Sequence, residues 1–507
     1  MAQYSVDEGK LITSRYPQKN VCVIGGGVAG LVSAKVLKNN GFDVTVFEKE
    51  PGIGGVWAET RAYPGLRSNN PKEAYAFSDF DYPESTDDFP TAGQILRYLK
   101  SYSKHFNLGP HIQTETEVVS VGRNKGDNES RKQGFRVEIQ QANQPEKRDI
   151  LKFDHLVICN GVFSKPHIPQ IEGRDKFEGE IIHSSQFTYK EMIRGKRVTV
   201  VGGGKSAMDC ATVAGKYAAS STLIFRRPHW MIPRYFGNKR VDYILFNRFS
   251  EQIFPVYHNA SKSRRLIQMA ISPLIWFWRK TVDWIVVNQG NIPEKLIPEV
   301  PVISGLENNG IGTEFYEILH DGRADIHRSG IRSFASPNRI ELDNGKQIET
   351  DVVIFATGWN QDVEFLEPEL KQIIRKNGFF RLYRHILPPQ ERNMGFIGYA
   401  SSGNAPLTSE ISAHWLSQHF MGELNLPGVW EIEREIDKVR KWTQQVFPQR
   451  KEGYFIGAYV GHYIDQLMND MELETQRAKN VFREYWGPFW AKRYREVESE
   501  RKQTATE

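Results

Sequence analysis

The chain has 507 residues, 39% hydrophobic and 25% charged, a globular composition that excludes a disordered or membrane-spanning polypeptide and, at about 150 residues per domain, accommodates three domains. Sixty-six Lys and Arg against 61 Asp and Glu leave a net charge of +5, too small over this length for a nucleic-acid coat. Cys22, Cys159 and Cys210 form no CxxC pair, which excludes a dithiol redox centre and a cysteine zinc site. Met1–Asn20 is polar and lacks the apolar core of a secretory signal, so the expectation is a cytoplasmic protein. Val21–Gly25 reads as a strand, Ala29–Asn40 as a helix and Val44–Glu48 as a second strand, a β-α-β unit. His155–Cys159 is a further strand, ending at Asn160-Gly161. The β-α-β pattern returns at Arg197–Gly202, Ser206–Ala219 and Thr222–Arg226. Leu266–Trp278 is an uncharged apolar stretch between Arg265 and Arg279, shorter than the roughly 20 residues of a membrane span. It reads as a buried or tunnel-wall helix, with interfacial membrane contact as the alternative. Asp351–Ala356 is a strand ending at Thr357-Gly358, and helices rich in Glu, Lys, Arg and Trp follow from Glu410, with a polar tail from Glu496.

The first unit carries G-x-G-x-x-G at Gly25-Gly26-Gly27-Val28-Ala29-Gly30, between strand and helix. Gly25 permits the tight turn, Gly27 lets a pyrophosphate approach the backbone, and Gly30 lets the helix pack on the strand. Amides at the helix N-terminus, at Val28 and Ala29, then face the phosphates. Glu48 ends the second strand, where a carboxylate accepts from ribose hydroxyls and repels a 2′-phosphate, so this site takes FAD or NAD. The second unit carries G-x-G-x-x-A at Gly202-Gly203-Gly204-Lys205-Ser206-Ala207. Its second strand ends in Arg226-Arg227, whose guanidinium groups suit a 2′-phosphate, so this site prefers NADPH. Two sites of opposite preference imply hydride transfer from NADPH to a flavin.

Between the units, Phe177-Glu178-Gly179-Glu180-Ile181-Ile182-His183-Ser184-Ser185-Gln186-Phe187 matches F-x-G-x-x-x-H-x-x-x-[YF] and resembles the identifying sequence of flavin-containing monooxygenases. Baeyer–Villiger monooxygenases resemble it too, with Trp where this chain has Phe187. Gly54-Gly55-Val56-Trp57, Ser68-Asn69-Asn70-Pro71-Lys72-Glu73 and Ala356-Thr357-Gly358-Trp359 extend the resemblance in the family's order. It implies FAD and NADPH as cofactors, a flavin C4a-hydroperoxide formed with dioxygen, and oxygenation of a soft nitrogen or sulfur in a dry pocket. Asn69 matches the catalytic Asn at the flavin edge. Gly55, Val56 and Trp57 match backbone contacts to the flavin, Ser68 and Asn70 lie along the cofactor cleft, and Val118 is counted with the FAD contacts. Lys205, Ser206 and Asp209 lie at or just past the second loop; family members often have Asn in place of Lys205. Thr357 and Gly358 lie where backbone approaches the isoalloxazine. His183 reads equally as a satisfied structural residue.

The expected fold is α/β, with two dinucleotide-binding, Rossmann-like domains and a helical C-terminal region. The NADPH domain, 169–335, is inserted in a discontinuous FAD domain formed by 1–168 and 336–507. An aromatic-rich helical insertion at about 235–300 is expected either to cover the flavin as a lid or to form a local core. Expected partners are dioxygen and a small-molecule substrate, not nucleic acid, with a peripheral membrane contact or a homodimer both compatible with the sequence. Carbon oxygenation, by Baeyer–Villiger insertion or oxidative decarboxylation of a keto acid, is the alternative chemistry. A noncatalytic NADP(H)-binding redox-responsive module is the alternative outside enzymes.

Overall fold

Strand β1 (Asn20–Ile24) is buried on both faces. Val21 and Val23 pack into the core formed with helix α1 (Val28–Asn39), while Cys22 and Ile24 enter a separate core on the opposite face. Such two-sided burial is what a central strand of a parallel sheet requires. The computed structural model describes residues 19–124, 134–302, 309–448, 456–457 and 459–504. Around β1, the strands β2 (Asp43–Phe47), β3 (Ile112–Gln113), β7 (His155–Ile158) and β24 (Met394–Phe396) form a parallel sheet of order β24-β7-β1-β2-β3. Because β24 comes from the far end of the chain, the first domain is discontinuous, as expected. Helix α2 (Ala92–His105) starts at a capping box in which Thr91 Oγ1 accepts from Gln94 N at 3.2 Å and Gln94 Oε1 accepts from Thr91 N at 2.9 Å. The antiparallel β4 (Thr116–Arg123), β5 (Phe135–Gln141) and β6 (Arg148–Phe153) cover the Cys22 and Ile24 face.

The second unit has a parallel sheet of order β16-β11-β10-β20-β9, from β9 (Glu180–His183), β10 (Arg197–Val201), β11 (Ser220–Phe225), β16 (Asp325–Arg328) and β20 (Val352–Phe355). Helix α3 (Lys205–Tyr217) packs against β10 and β11, and α8 (Glu314–His320) packs on α3. The boundary expected at 335/336 moves: β20 pairs in parallel with both β10 and β9, so the second unit runs to at least Phe355. The antiparallel β17 (Ile331–Ser336), β18 (Arg339–Leu342) and β19 (Gln347–Glu349) cover one face of this sheet, with Phe334, Ile340 and Leu342 packed on Ile224, Val353 and Phe355. Short pairs complete the strands: β8 (Lys165–Pro166) with β21 (Trp359–Asn360), β12 (Met231–Ile232) with β15 (Gly310–Ile311), β13 (Tyr235–Phe236) with β14 (Lys239–Arg240), and β22 (Arg375–Lys376) with β23 (Phe379–Phe380).

Within the expected insertion stand α4 (Asp242–Leu245), α5 (Arg248–Ile253), α6 (Lys262–Ala270) and α7 (Ser272–Gly290). The buried or tunnel-wall reading of Leu266–Trp278 is overturned, because Ile275 is the one buried residue in that stretch. The reason lies in α6, whose inward residues are polar. Gln268 donates to the carbonyls of Gln252 and Phe254, at 3.1 and 2.7 Å, and Arg264 donates to Gln252 Oε1 at 2.6 Å, which turns the apolar side chains outward. The later helices are α9 (Pro368–Ile374), the almost entirely buried α10 (Ala405–Met421) packed on α1, α11 (Val429–Val446) and α12 (Val460–Asp470). Among the described residues no helix is long and apolar enough to cross a membrane.

Candidate cofactor sites and the junction between them

The chain leaves β1 through Gly25 at φ +109°, where a Cβ would stand 2.7 Å from the Cys159 carbonyl oxygen at the end of β7. A Cβ on Gly30 would lie 1.8 Å from the Gly25 carbonyl oxygen, so α1 packs on the turn more closely than any side chain permits. Gly27 is the N-cap of α1, with no side-chain cap and no acid in the first turn. The first amides of the helix, including Val28 and Ala29, therefore remain open to an anion. Glu48 is buried beneath this loop, its carboxylate accepting from Gly26 N at 2.6 Å and Glu50 N at 2.9 Å, with acceptor capacity left for a ribose hydroxyl. Thr116 N donates to the Glu48 carbonyl, which places Val118 two residues along the same strand, with its side chain buried. The Gly55–Trp57 turn closes over the loop: Gly54 N donates to Gly26 O at 3.0 Å, and a Cβ on Gly55 would stand 3.2 Å from Gly27 Cα. Val56 lies in that turn, and Trp57 is anchored by donation from its indole N–H to Tyr75 Oη at 2.9 Å.

The second loop repeats this construction. Gly202 adopts φ +146°, and a Cβ there would lie 2.4 Å from the Ala356 carbonyl oxygen beyond the end of β20. Gly204 caps α3, again with no side-chain cap and no acid in the first turn. Lys205 opens the helix and is ion-paired with Asp209 one turn on. Tyr63, from the first unit, donates to the same Asp209 at 3.1 Å and thereby ties the two units together. Burial pushes the Tyr63 phenol well above its usual range, with Asp209 adding to the shift and a hydrogen bond with Ser206 opposing it.

Of the two arginines at the end of β11, Arg227 joins the wall of a cleft of about 1540 Å³ between the second sheet and α11, and Arg226 is exposed beside it. Sequence reasoning missed Arg328. It ends β16, stands in register with Phe225 of β11, and lines the same cleft as Arg227 and His229. Its guanidinium pairs with Glu299 at 2.6 Å and holds that carboxyl below the usual carboxylate range. The available signal is its place at the end of the strand beside β11, which only the pairing reveals.

Ser68 and Asn70 are buried: Ser68 Oγ donates to Asn70 O at 2.7 Å, and Asn70 Nδ2 to Asn404 Oδ1, at the N-cap of α10, at 2.8 Å. Asn69 between them is exposed, and its Oδ1 accepts from Ile311 N at 3.4 Å. Gly310, the neighbour of Ile311 in β15, is close enough to Lys205 that a Cβ on it would stand 3.0 Å from Lys205 Cβ. The Asn69 amide thus meets β15, which itself packs beside the start of α3. His183 is fully buried, with Nδ1 accepting from Ser185 N at 3.2 Å and Nε2–H donating to Gly358 O at 3.1 Å. Burial lowers its pKa, so the imidazole is neutral and anchors the Thr357-Gly358 turn, where Gly358 takes φ +89° and Thr357 Oγ1 donates to His167 O.

Both loops therefore fit a dinucleotide pyrophosphate: each has a glycine floor that a Cβ would fill and a helix start with open amides. The ends of the adjoining second strands differ in charge, Glu48 in one unit and Arg226 and Arg227 in the other. The comparisons agree with that geometry. Residues 18–270 and 317–484 match the family model described as flavin-binding monooxygenase-like. The human protein named flavin-containing monooxygenase 2 is 28% identical over 505 residues, covering 94% of this chain and 89% of its own. An Arabidopsis thaliana protein named probable flavin-containing monooxygenase 1 is 28% identical over 529 residues, covering 96% and 97%. Among solved structures, S-allyl-L-cysteine S-oxygenase from Allium sativum aligns with TM-score 0.60 at 20% identity, covering 96% of this chain and 94% of that one. Cyclohexanone monooxygenase from Rhodococcus aligns with TM-score 0.68 at 20% identity, covering 90% and 97%. The match of the family model over most of its length shows that this chain belongs to the flavin-binding monooxygenase-like family.

Proposed function

We propose that this protein is an FAD- and NADPH-dependent monooxygenase that transfers one oxygen atom of dioxygen to a soft nitrogen or sulfur of a small molecule. The observation that carries this reading is the junction, where Asn69 from the first unit meets β15 of the second, the strand beside the start of α3. Bound FAD supplies the redox chemistry, accepting hydride from NADPH and passing electrons to dioxygen. The chain's own groups bind, orient and keep water away. Open amides of α1 and Glu48 hold the FAD end; open amides of α3, with Arg227 and Arg328, hold the NADPH end. With Asn69 Oδ1 accepting from the Ile311 amide, Nδ2 remains as the donor of that side chain. A soft nucleophile brings its own lone pair, so the protein need supply a donor and a dry pocket but no catalytic nucleophile.

Phe187 closes the identifying motif where Baeyer–Villiger enzymes have Trp, and relatives at 28% identity carry the name dimethylaniline monooxygenase [N-oxide-forming] 2; both support nitrogen or sulfur over carbon. Solved structures of both kinds share the fold, so products must discriminate. The flavin-loaded protein, given NADPH and air, is expected to convert N,N-dimethylaniline to its N-oxide or methyl phenyl sulfide to its sulfoxide. Lactone from cyclohexanone, with neither of those products, would overturn the assignment in favour of carbon oxygenation.

A further inference from the structure

The cleft that Arg227 and Arg328 line, about 1540 Å³, exceeds the roughly 300–1,000 Å³ that a drug-sized ligand fills, and α11 of the first unit forms its other side. Ile432 and Ile436 seat α11 in the core around α1. The acids along the helix are taken up by neighbours: Asp437 accepts from Arg381 at 3.0 Å, Glu435 pairs with Arg384, and Glu433 accepts from Gln390 at 3.4 Å. The cations Arg434, Lys438 and Lys441 are treated differently. They stand at i, i+4 and i+7, one stripe of the helix, and all three are exposed on the lining of the cleft. Arg434 lies over the Trp430 ring at 4.8 Å, and neither Lys438 nor Lys441 is ion-paired among the described residues.

From the second unit, the acid on the lining is Glu299, which is paired with Arg328 at 2.6 Å and lies in the field of Arg227 as well. Cations gathered from both units around one cleft repel one another, and like charges at i and i+4 weaken the helix that carries them. Such an arrangement is relieved when an anion enters the cleft. In a β-α-β dinucleotide site the adenosine ribose hangs at the C-terminal end of the second strand, here the end of β11 that leads into Arg227. A phosphate on the ribose 2′-oxygen therefore enters the space between Arg227 and α11. The four-carbon stem of a lysine lets its ammonium follow such a group without the fixed geometry that a guanidinium demands. Resting on the NADPH assignment above, we propose that Lys438 and Lys441 complete the 2′-phosphate site from the first unit, so that both units grip the phosphate end of NADPH.

Titration calorimetry of the full-length, flavin-loaded protein with NADP⁺ and NAD⁺, which differ by the 2′-phosphate alone, tests this. Lys438→Gln with Lys441→Gln should weaken NADP⁺ binding about fivefold or more and NAD⁺ binding less than about twofold. Both side chains are exposed, so the variant should keep its flavin absorbance, which separates a lost contact from lost folding. Lys100→Gln with Lys104→Gln, on the exposed side of α2, removes the same charge outside the cleft and should leave both affinities unchanged. An equal loss in this control would overturn the proposal, because the lysines would then act only through net charge. Unchanged NADP⁺ affinity in the α11 variant, with Arg227→Ala and Arg328→Ala still weakening it, would overturn the role of α11 and leave the NADPH assignment standing. A wild type that binds NADP⁺ no better than NAD⁺, with none of these substitutions changing either affinity, would overturn that assignment and the proposal with it.

Discussion

Glu48 and the Arg226-Arg227 pair follow the second strand of each unit, and in the proposed function the sign of the charge there selects the dinucleotide. Arg227 and Arg328 line one cleft, while Arg226 stands outside its wall, so the proposal puts the phosphate-reading role on the first two. Each guanidinium bond to a 2′-phosphate contributes about 1.5–3 kcal/mol. Arg227→Ala and Arg328→Ala should therefore each weaken NADP⁺ binding about 10–100-fold, leave NAD⁺ binding nearly unchanged, and exceed the effect of Arg226→Ala. Titration calorimetry with the two nucleotides measures this, and equal losses for both would show that these side chains do not read the phosphate. The charge contrast was legible in the sequence because it stands at the end of a strand beside a glycine loop. Arg328 was not, because its relation to Phe225 exists only through strand pairing. The partner of Asn69, Ile311, lies 242 residues away and leaves no local pattern.

At the scale of elements, the two β-α-β units were legible because a phosphate-binding turn imposes a short local sequence. The third position of the glycine motif shows how tightly. Gly30→Ala places a Cβ 1.8 Å from the Gly25 carbonyl oxygen, so α1 must move away from β1, at an overpacking cost of at least 1–3 kcal/mol by order of magnitude. The purified variant should have lost most of its flavin absorbance, whereas Ala207→Gly, at the matching place in α3, should keep it. A fully yellow Gly30→Ala protein would show that the close helix contact is not needed. Two features escaped the sequence for one reason, that side-chain composition does not say which neighbour an element meets. The strand at Asp351–Ala356 was visible, yet only its pairing with β10 and β9 assigns it to the second unit. The apolar stretch Leu266–Trp278 was visible too, but its outward orientation follows from the hydrogen bonds of Arg264 and Gln268 to Gln252 and Phe254.

Across the whole molecule, buried ionisable groups and the two cofactor sites set the collective behaviour. Burial lowers the imidazoles of His155, His258 and His385 to about 3, and those of His183 and His414 are lowered as well. The unfolded chain, whose histidines titrate near the ordinary value of 6.5, then binds more protons below that pH. Stability is therefore fullest above about 6.5 and declines as pH falls, each such His contributing a slope of about 1.4 kcal/mol per pH unit. Glu410 acts in the opposite sense. Burial and the neighbouring Asp79 raise its carboxyl to about 7, so its contribution is present below 4.5 and fades as pH rises through 7. With His327 and His419 lowered too and Glu423 raised beside Glu410, seven imidazoles outweigh two carboxyls among the described residues, and urea unfolding should give a lower stability at pH 5 than at pH 7.5; a stability rising toward acid would contradict this balance. The proposed oxygen transfer depends on the junction, where the two units meet. Its direct test is turnover of N,N-dimethylaniline under ¹⁸O₂ with peroxide and NADPH measured together. The wild type should place one labelled oxygen in product for nearly every NADPH consumed, and Asn69→Ala should keep FAD and oxidise NADPH but release hydrogen peroxide instead. Unlabelled product from the wild type, or fully coupled turnover by Asn69→Ala, would contradict the account.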